Sequence, residues 1–426
     1  MRKGLALMIG LLLIGFVQGY GETVTLEFMT SGPGIPQEIA AFEKIYPYIK
    51  VKQTGLPFEQ FFPAVETRLG AGEPTPDVLM VDEPTIASYA LRGFLLPVED
   101  FITDEDMADY LPASIKSATY GDHIYTFPWW TSTQLLFYNV DMFQEAGIEP
   151  PPPDPDQRWT WKKVVEVALK LTKDVDGDGK IDQWGFAFEQ VDRPYQLLPL
   201  PQSLGAAVIG PDGLTATGYV NSDLFVEAMR FYYDIYNTWK ISPKGLRAFE
   251  TRDAFAAGRI AMLIGGAWNL HELPQMNPEL NFGVAPHPYF ERGKPVTPTG
   301  SWHIGVNANT KHPKEAILLA RFITSQAMLC LRWKLTAALP ARKTVYFVFP
   351  EEFETYPGTL IFYELENTAV PRPRTVGYVE YEEILRQAFA DIRAGVDPKE
   401  ALDRAATLID QRLAKYRQLL ELKGKE

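Results

Sequence analysis

The run FAAGRIAMLIGGAWNL at residues 255–270 is followed by NFGVAP at 281–286, GSWHIGVNA at 300–308 and KHPKEA at 311–316. An apolar strand pattern over 260–264 runs straight into Gly265 and Gly266, and glycine, lacking a Cβ, lets backbone come close to a partner. Trp268 stands just past that pair. Trp302 comes shortly after Gly300, at the head of a second apolar strand pattern, and an amphipathic helix pattern ending near Thr324 closes the block. Two indoles at strand ends beside bare backbone are flat apolar faces offered to a ligand. A ring with one C–H face and a rim of hydroxyls suits such a surface.

Upstream, period-two alternation at 23–29 gives way to Ser31-Gly32-Pro33-Gly34, and then to a helix pattern over 35–46. Strand patterns at 49–53 and 77–81 alternate with helix patterns at 58–69 and 85–92. Such alternation predicts a mainly parallel sheet with helices on both faces. Ligands of such sheets sit at the carboxyl ends of strands, which places Ser31 and the pair Asp82 and Glu83 on one rim. Further on, Asp141 reads as the cap of a helix ending at Gly147, and Thr160 as the cap of a helix over 161–171. The tail is helical: Ile384, Leu385, Ala388, Phe389 and Ile392 share one face, as do Leu402, Ala405, Leu408, Ile409 and Leu413. Asp397-Pro398-Lys399-Glu400 starts the last helix, with Pro at its first position and Glu three after the cap.

At 426 residues the chain is long enough for two cores, since single cores rarely grow past about 250–300 residues. Its net charge of −13 argues against nucleic acid or an anionic membrane as partner, both of which want a basic stripe. Residues 1–21 read as a secretory signal: Arg2 and Lys3 precede an apolar run over 5–17, and small residues follow at Gly19 and Gly21. That run is shorter than the about 20 residues a spanning helix needs. Cys330 is the only cysteine, so an internal disulfide is excluded, and no cysteine near the cleavage region could carry a lipid. An exported, unanchored periplasmic monomer is the expectation.

Sugar hydroxyls call for planar polar side chains that make paired hydrogen bonds. Asp82, Glu83, Asn269 and Ser132 stand at suitable places, although solvated loop carboxylates fit the letters at 82 and 83 equally well. Trp129 and Trp130 are neighbours and in an extended strand point to opposite faces, one to a cleft and one inward. Aromatic side chains more often fill cores than bind ligands. In the run DVDGDGKID, Asp174, Asp176, Asp178, Lys180 and Asp182 fall at alternate positions of a Ca²⁺ loop, Lys180 at the main-chain position, but Gly185 stands where the bidentate Glu belongs. Asp-Gly runs also make ordinary turns without metal. No cofactor is required. The five histidines are scattered, with no metal-ligand spacing, and neither a nucleophile elbow nor a phosphate loop occurs. The residues alone leave open a glycoside hydrolase, which needs only two carboxylates.

In the 255–325 block the chain resembles the extracellular solute-binding proteins of ABC sugar importers, the group that includes maltose-binding proteins. IYTFPWWTSTQLLFYNVD at 124–141 is similar to that family's first crossover between lobes, and AVPRPRTVGY at 369–378 to its late Pro-rich cleft loop. Val376 and Gly377 depart from the family's Pro and acidic residue there. The resemblance implies a two-lobed α/β periplasmic binding fold with a three-strand hinge. Lobe one would span 22–131 and 285–336, and lobe two 132–284 and 337–426. Trp268 and Trp302 match positions that stack on sugar, with Asp82, Ser132, Arg372, Arg374 and Tyr378 as further ligand-side residues. The implied function is non-enzymatic capture of a sugar or oligosaccharide, presented to a membrane permease with its ATPase. A polyol or glycerol phosphodiester is the alternative guest, which Arg372 and Arg374 would suit.

Overall fold

The computed structural model describes residues 23–300 and 302–423; the expected signal segment lies outside the described residues. β1 (Val24–Ser31) pairs in parallel with β2 (Ile49–Leu56) and β3 (Val78–Asp82), and helices Pro36–Ile45 and Phe58–Gly70 make the crossovers. A short hairpin, β4 (Thr119–Tyr120) and β5 (His123–Ile124), leads into β6 (Thr126–Thr131), which runs almost directly on into β7 (Gln134–Asn139). The later strands are β8 (Ala187–Phe188), β9 (Met262–Gly266), β10 (Phe282–Ala285), β11 (Thr297–Pro298), β12 (Trp302–Val306), β13 (Leu339–Pro340) and β14 (Ala369–Val370). Apart from β11 and β14, which pair only with each other, they complete a six-stranded sheet of order β13-β6-β12-β3-β1-β2 in lobe one and a four-stranded sheet, β10-β7-β9-β8, in lobe two.

The pairing is mixed where the alternation of elements predicts mainly parallel strands. β1–β2, β1–β3 and β8–β9 are parallel, while β12 is antiparallel to β3 and β6, and β7 to β9 and β10. The hinge causes this. β6 runs toward the second lobe and β12 runs back from it, so the two must oppose.

Period-two patterning decides which face each strand buries. Leu135, Phe137 and Leu263 join the cluster that also holds Phe28, Phe42, Phe61 and Ile304, whereas Leu136, Met262 and Ile264 join one built on Trp161, Tyr232, Phe389 and Leu413. The helix Trp161–Leu171 starts where the sequence predicts, its Lys163 N–H donating to Thr160 Oγ at 3.3 Å. Asp397 likewise accepts from Lys399 and Glu400 at the head of the last helix, Pro398–Lys423. Asp141 is not a cap: the Met142 N–H donates to Asn139 Oδ1 at 3.0 Å, so helix Val140–Glu145 begins on Asn139.

Both expected lobe boundaries move. Past β10 the chain stays with lobe two, where the Tyr289 carbonyl accepts the Trp161 N–H and Phe290 packs on that lobe's core. It crosses only at β11. β13 does not leave lobe one, because Leu339 and Pro340 pair with Thr131 and Trp130 of β6. Helices Lys343–Val348, Pro350–Phe353 and Gly358–Asn367 then bridge the lobes, Thr344 bonding Asp109 in lobe one and Glu364 the buried Arg158 of lobe two. The last crossing is β14, paired with β11. Buried threonine hydroxyls tie the three crossings together: Thr131 to Thr299 at 2.8 Å, Thr133 to Thr297 at 3.2 Å and Thr297 to Thr368 at 2.9 Å.

Candidate functional site

The strand register builds the lobe-one wall of the cleft. Trp302, first residue of β12, pairs with Asp82 at the end of β3 on one side and with Trp130 on the other. The helix Phe58–Gly70 backs that row. The Trp302 ring stacks on Phe62 at 6.2 Å and meets Phe58 and Phe61 edge-on at 6.3 and 6.2 Å. Offset and edge-to-face pairs of this kind are the arrangements the ring quadrupole favours. Trp129 and Trp130 do not point to opposite faces. Their ring centroids are 4.0 Å apart, because the register with β12 jumps from Trp130 to Pro128 and leaves Trp129 in a bulge. Trp129 is 1% exposed and lies behind Trp130, which lines the cleft. The guanidinium of Arg332 covers both rings, 5.3 and 5.0 Å from their centroids.

Lobe two supplies Trp268, at the head of the helix Asn269–Met276. Its ring stacks with Tyr195 at 6.4 Å, and its Nε1–H donates to Glu189 at 3.0 Å. Glu189 is wholly buried, and burial pushes its carboxyl up to about 7 against the pull of N–H donors from Gly266, Asn269 and Trp268. Ser132 sits in the first crossing and bonds the Tyr195 hydroxyl at 2.9 Å. Between the walls lies a chamber of about 410 Å³ lined by Trp130, Ser132, Tyr195, Trp268, Trp302 and Arg332, among others.

Arg372 closes one side. It grips Asp82 with two N–H bonds, one of 2.9 Å and a shorter one, approaches Glu83 at 3.9 Å, and lies over the Tyr195 and Tyr378 rings. Burial is the largest single influence and works against its charge, but Asp82, Tyr378 and Glu83 together outweigh it and raise the Arg372 pKa well above the ordinary arginine value.

Of the residues singled out by sequence, Trp268, Trp302, Trp130, Ser132, Asp82 and Arg372 line this chamber. The others stand off it. Asn269 is 0% exposed and faces Glu189 rather than the cleft. Ser31 ends β1, and its N–H points at the Met80 sulfur. Glu83 is buried beside Arg372, Tyr378 lies beneath it, and Arg374 is exposed, bonding the Lys116 carbonyl. Sequence reasoning missed Tyr195, Arg332, Glu189, Phe58 and the ion pair of Arg252 with Glu272. A lone glutamate directly after the apolar run Phe186-Ala187-Phe188 was the readable signal among these.

In the aspartate loop, carboxylate oxygens of Asp174, Asp176 and Asp182 lie within 4.8 Å of one another, all exposed. Each already accepts main-chain N–H: Asp174 from Gly177 and Gly179, Asp176 from Asp178, and Asp182 from Val175. Asp178 turns away to the Lys180 ammonium at 3.0 Å. The loop is thus closed by its own hydrogen bonds, with Gly185 where a Ca²⁺ loop carries its bidentate Glu.

Residues 29–328 match the family model described as bacterial extracellular solute-binding protein. The chain is 23% identical over 363 residues to a probable ABC transporter-binding protein of Deinococcus radiodurans, covering 83% of this chain and 82% of that one. It is 25% identical over 400 residues to a galactooligosaccharide-binding protein of Bacillus subtilis, covering 90% and 88%. Among solved structures it is similar to an ABC transporter solute-binding protein of Thermotoga lettingae bound with α-D-tagatose. That match has a TM-score of 0.79 and 25% identity, and covers 92% of this chain and 100% of the other. An ABC substrate-binding protein of Listeria monocytogenes in complex with cycloalternan has a TM-score of 0.80 at 22% identity, covering 92% and 99%.

Proposed function

The chain belongs to the bacterial extracellular solute-binding proteins, and from that premise we propose that it captures a sugar or oligosaccharide between its lobes for an ABC importer. One observation carries this reading: Trp268 from lobe two, and Trp302 with Trp130 from lobe one, face a single chamber. A sugar held by both walls favours the closed arrangement in proportion to its extra contacts there, which is the physics of hinge capture. The threonine ladder gives the three crossings a common axle for that motion. Relatives named for binding galactooligosaccharide and maltotriose support a carbohydrate guest.

Capture goes without bond breaking. A glycosidase needs one of its two carboxyls protonated as general acid. The cleft carboxylates Asp82 and Glu272 are instead each tied up in an ion pair with an arginine, Arg372 and Arg252. The same Asp82 pairing weakens the phosphodiester alternative, since the Arg372 charge is already answered. The protein acts as a monomer outside the cytoplasm and presents the closed form to permease subunits. The aspartate loop closes as a turn without metal; a rise in Tm on adding Ca²⁺ would assign it an ion instead.

Mass spectrometry of small molecules carried through purification, followed by calorimetric titration of the sugar found, tests the reading. A carbohydrate bound one to one supports it. New reducing ends after incubation with oligosaccharides would replace capture with hydrolysis.

A further inference from the structure

The two glycines of the 255–270 run do not open backbone to a ligand; they make room for the chain's own side chains. A Cβ on Gly266 would lie 2.1 Å from Trp268 ring atoms, and one on Gly265 would lie 2.7 Å from Asn269 Nδ2 and 3.3 Å from a Glu189 oxygen. These groups converge on Glu189, which follows β8 and accepts N–H bonds of 3.0 Å from Gly266, Trp268 Nε1 and Asn269 Nδ2. A buried carboxylate costs several kcal/mol unless its oxygens are satisfied, so one placed under a cleft indole calls for a reason. The charged and titratable groups around it are few. Arg252, from the helix Glu250–Ala256, attracts it and is itself paired with Glu272, while Tyr195 lies over Trp268 with its phenol pushed up to about 12 by burial.

We propose that Glu189 is the positioning residue for Trp268: its carboxylate holds the indole N–H and so sets the tilt at which the ring meets a sugar, and protonation within the Glu189–Asn269 pair changes that tilt. Asn269 supplies the second half of the device. Its Oδ1 is buried without a hydrogen-bond partner among the described residues. While Glu189 is ionised, Asn269 offers it an amide N–H. Once Glu189 takes up a proton, an amide turned over offers Oδ1 to the new O–H, which gives that oxygen a partner in exchange for the Nδ2–H bond. That proton also removes the negative charge that held the indole, leaving an ordinary hydrogen bond where a charge-assisted one had been, roughly half as strong. Because the carboxyl stands near neutrality, mild acidification loosens Trp268 and leaves the lobe-one rings, held by aromatic packing, where they are. The consequence for affinity rests on the capture reading; the tilt does not.

Fluorine NMR of the full chain labelled with fluorotryptophan tests this. The chain has nine tryptophans, and the Trp268 resonance is assigned by its loss in Trp268→Phe. Across about three pH units centred on neutrality, that resonance is expected to titrate with a midpoint near 7, and to be flat in Glu189→Gln. With maltotriose as calorimetric probe, wild-type affinity should fall about tenfold on acidification through the same range, and the fall should vanish in Glu189→Gln. A wild-type Trp268 resonance indifferent to pH overturns the proposal, and that measurement needs no variant to fold. If the resonance titrates while no sugar binds, the capture reading fails and the positioning role stands.

Discussion

On lobe one, Trp302 is wedged among Phe58, Phe61 and Phe62, while on lobe two Trp268 hangs by its N–H from the buried Glu189. The first anchor is dispersion and shape, and it carries no charge. The second is a directional hydrogen bond to a group that titrates. The two walls of one cleft can therefore respond differently to the same change: volume lost from the core should disturb the Trp302 anchor, and protons the Trp268 anchor.

The largest expected effect breaks the lobe-one wall. Phe61 is 1% exposed, and Phe61→Ala should cost about 3–5 kcal/mol of stability, read as a lowered denaturant midpoint. It should also weaken sugar binding by releasing Trp302, without touching the Trp268 signal. Next come the rings themselves. Trp302→Ala and Trp268→Ala should each cost roughly 1–3 kcal/mol of affinity by calorimetry, with stability falling more for the core-backed Trp302. Gly266→Ala is smaller and sharper. The added methyl would meet the Trp268 ring at 2.1 Å, so affinity should drop several-fold while far-ultraviolet circular dichroism stays unchanged.

The smallest effect, a slope with pH, sets two buried histidines against one buried glutamate. His303 adjoins Trp302 in lobe one and bonds Thr126 and Ser117; burial, with Arg372 nearby, lowers its pKa to about 3. A histidine so lowered contributes stability in full above its unfolded pKa of about 6.5, and that contribution is lost as pH falls toward 3. His287, also lowered to about 3 by burial, acts alike. Glu189, raised to about 7, runs the other way: its contribution is present below the unfolded value of about 4.3 and is lost as pH rises to 7. Two histidines outweigh one glutamate, so Tm should fall on acidification below about pH 6.5. In His303→Gln that fall should be shallower, and in Glu189→Gln steeper.

Much of this cleft could be read from the letters. Trp268 and Trp302 were legible because strand patterns end beside them, an α/β sheet because strands and helices alternate, and the two-lobed arrangement through the family resemblance. Asn269 misled because adjacency to Trp268 in sequence says nothing about which way a helix-initial side chain turns. One of Trp129 and Trp130 does face the cleft and the other packs inward, but the letters could not say which, because a bulge interrupts the alternation that assigns strand faces. Arg332 and Tyr195 come from segments far from the motif, Tyr195 in a short helix led by Pro194, and only the folded chain brings them to the cleft. The lobe boundaries slipped for a related reason: β11, β13 and β14 are two-residue strands, too short to carry a period.

The most direct measurement is a crystal structure of the protein with the sugar it retains through purification. A pyranose or furanose ring is expected between Trp268 and Trp302, within about 4 Å of both indole faces. A retained ligand seated away from the interlobe chamber, or one touching neither indole, would contradict it.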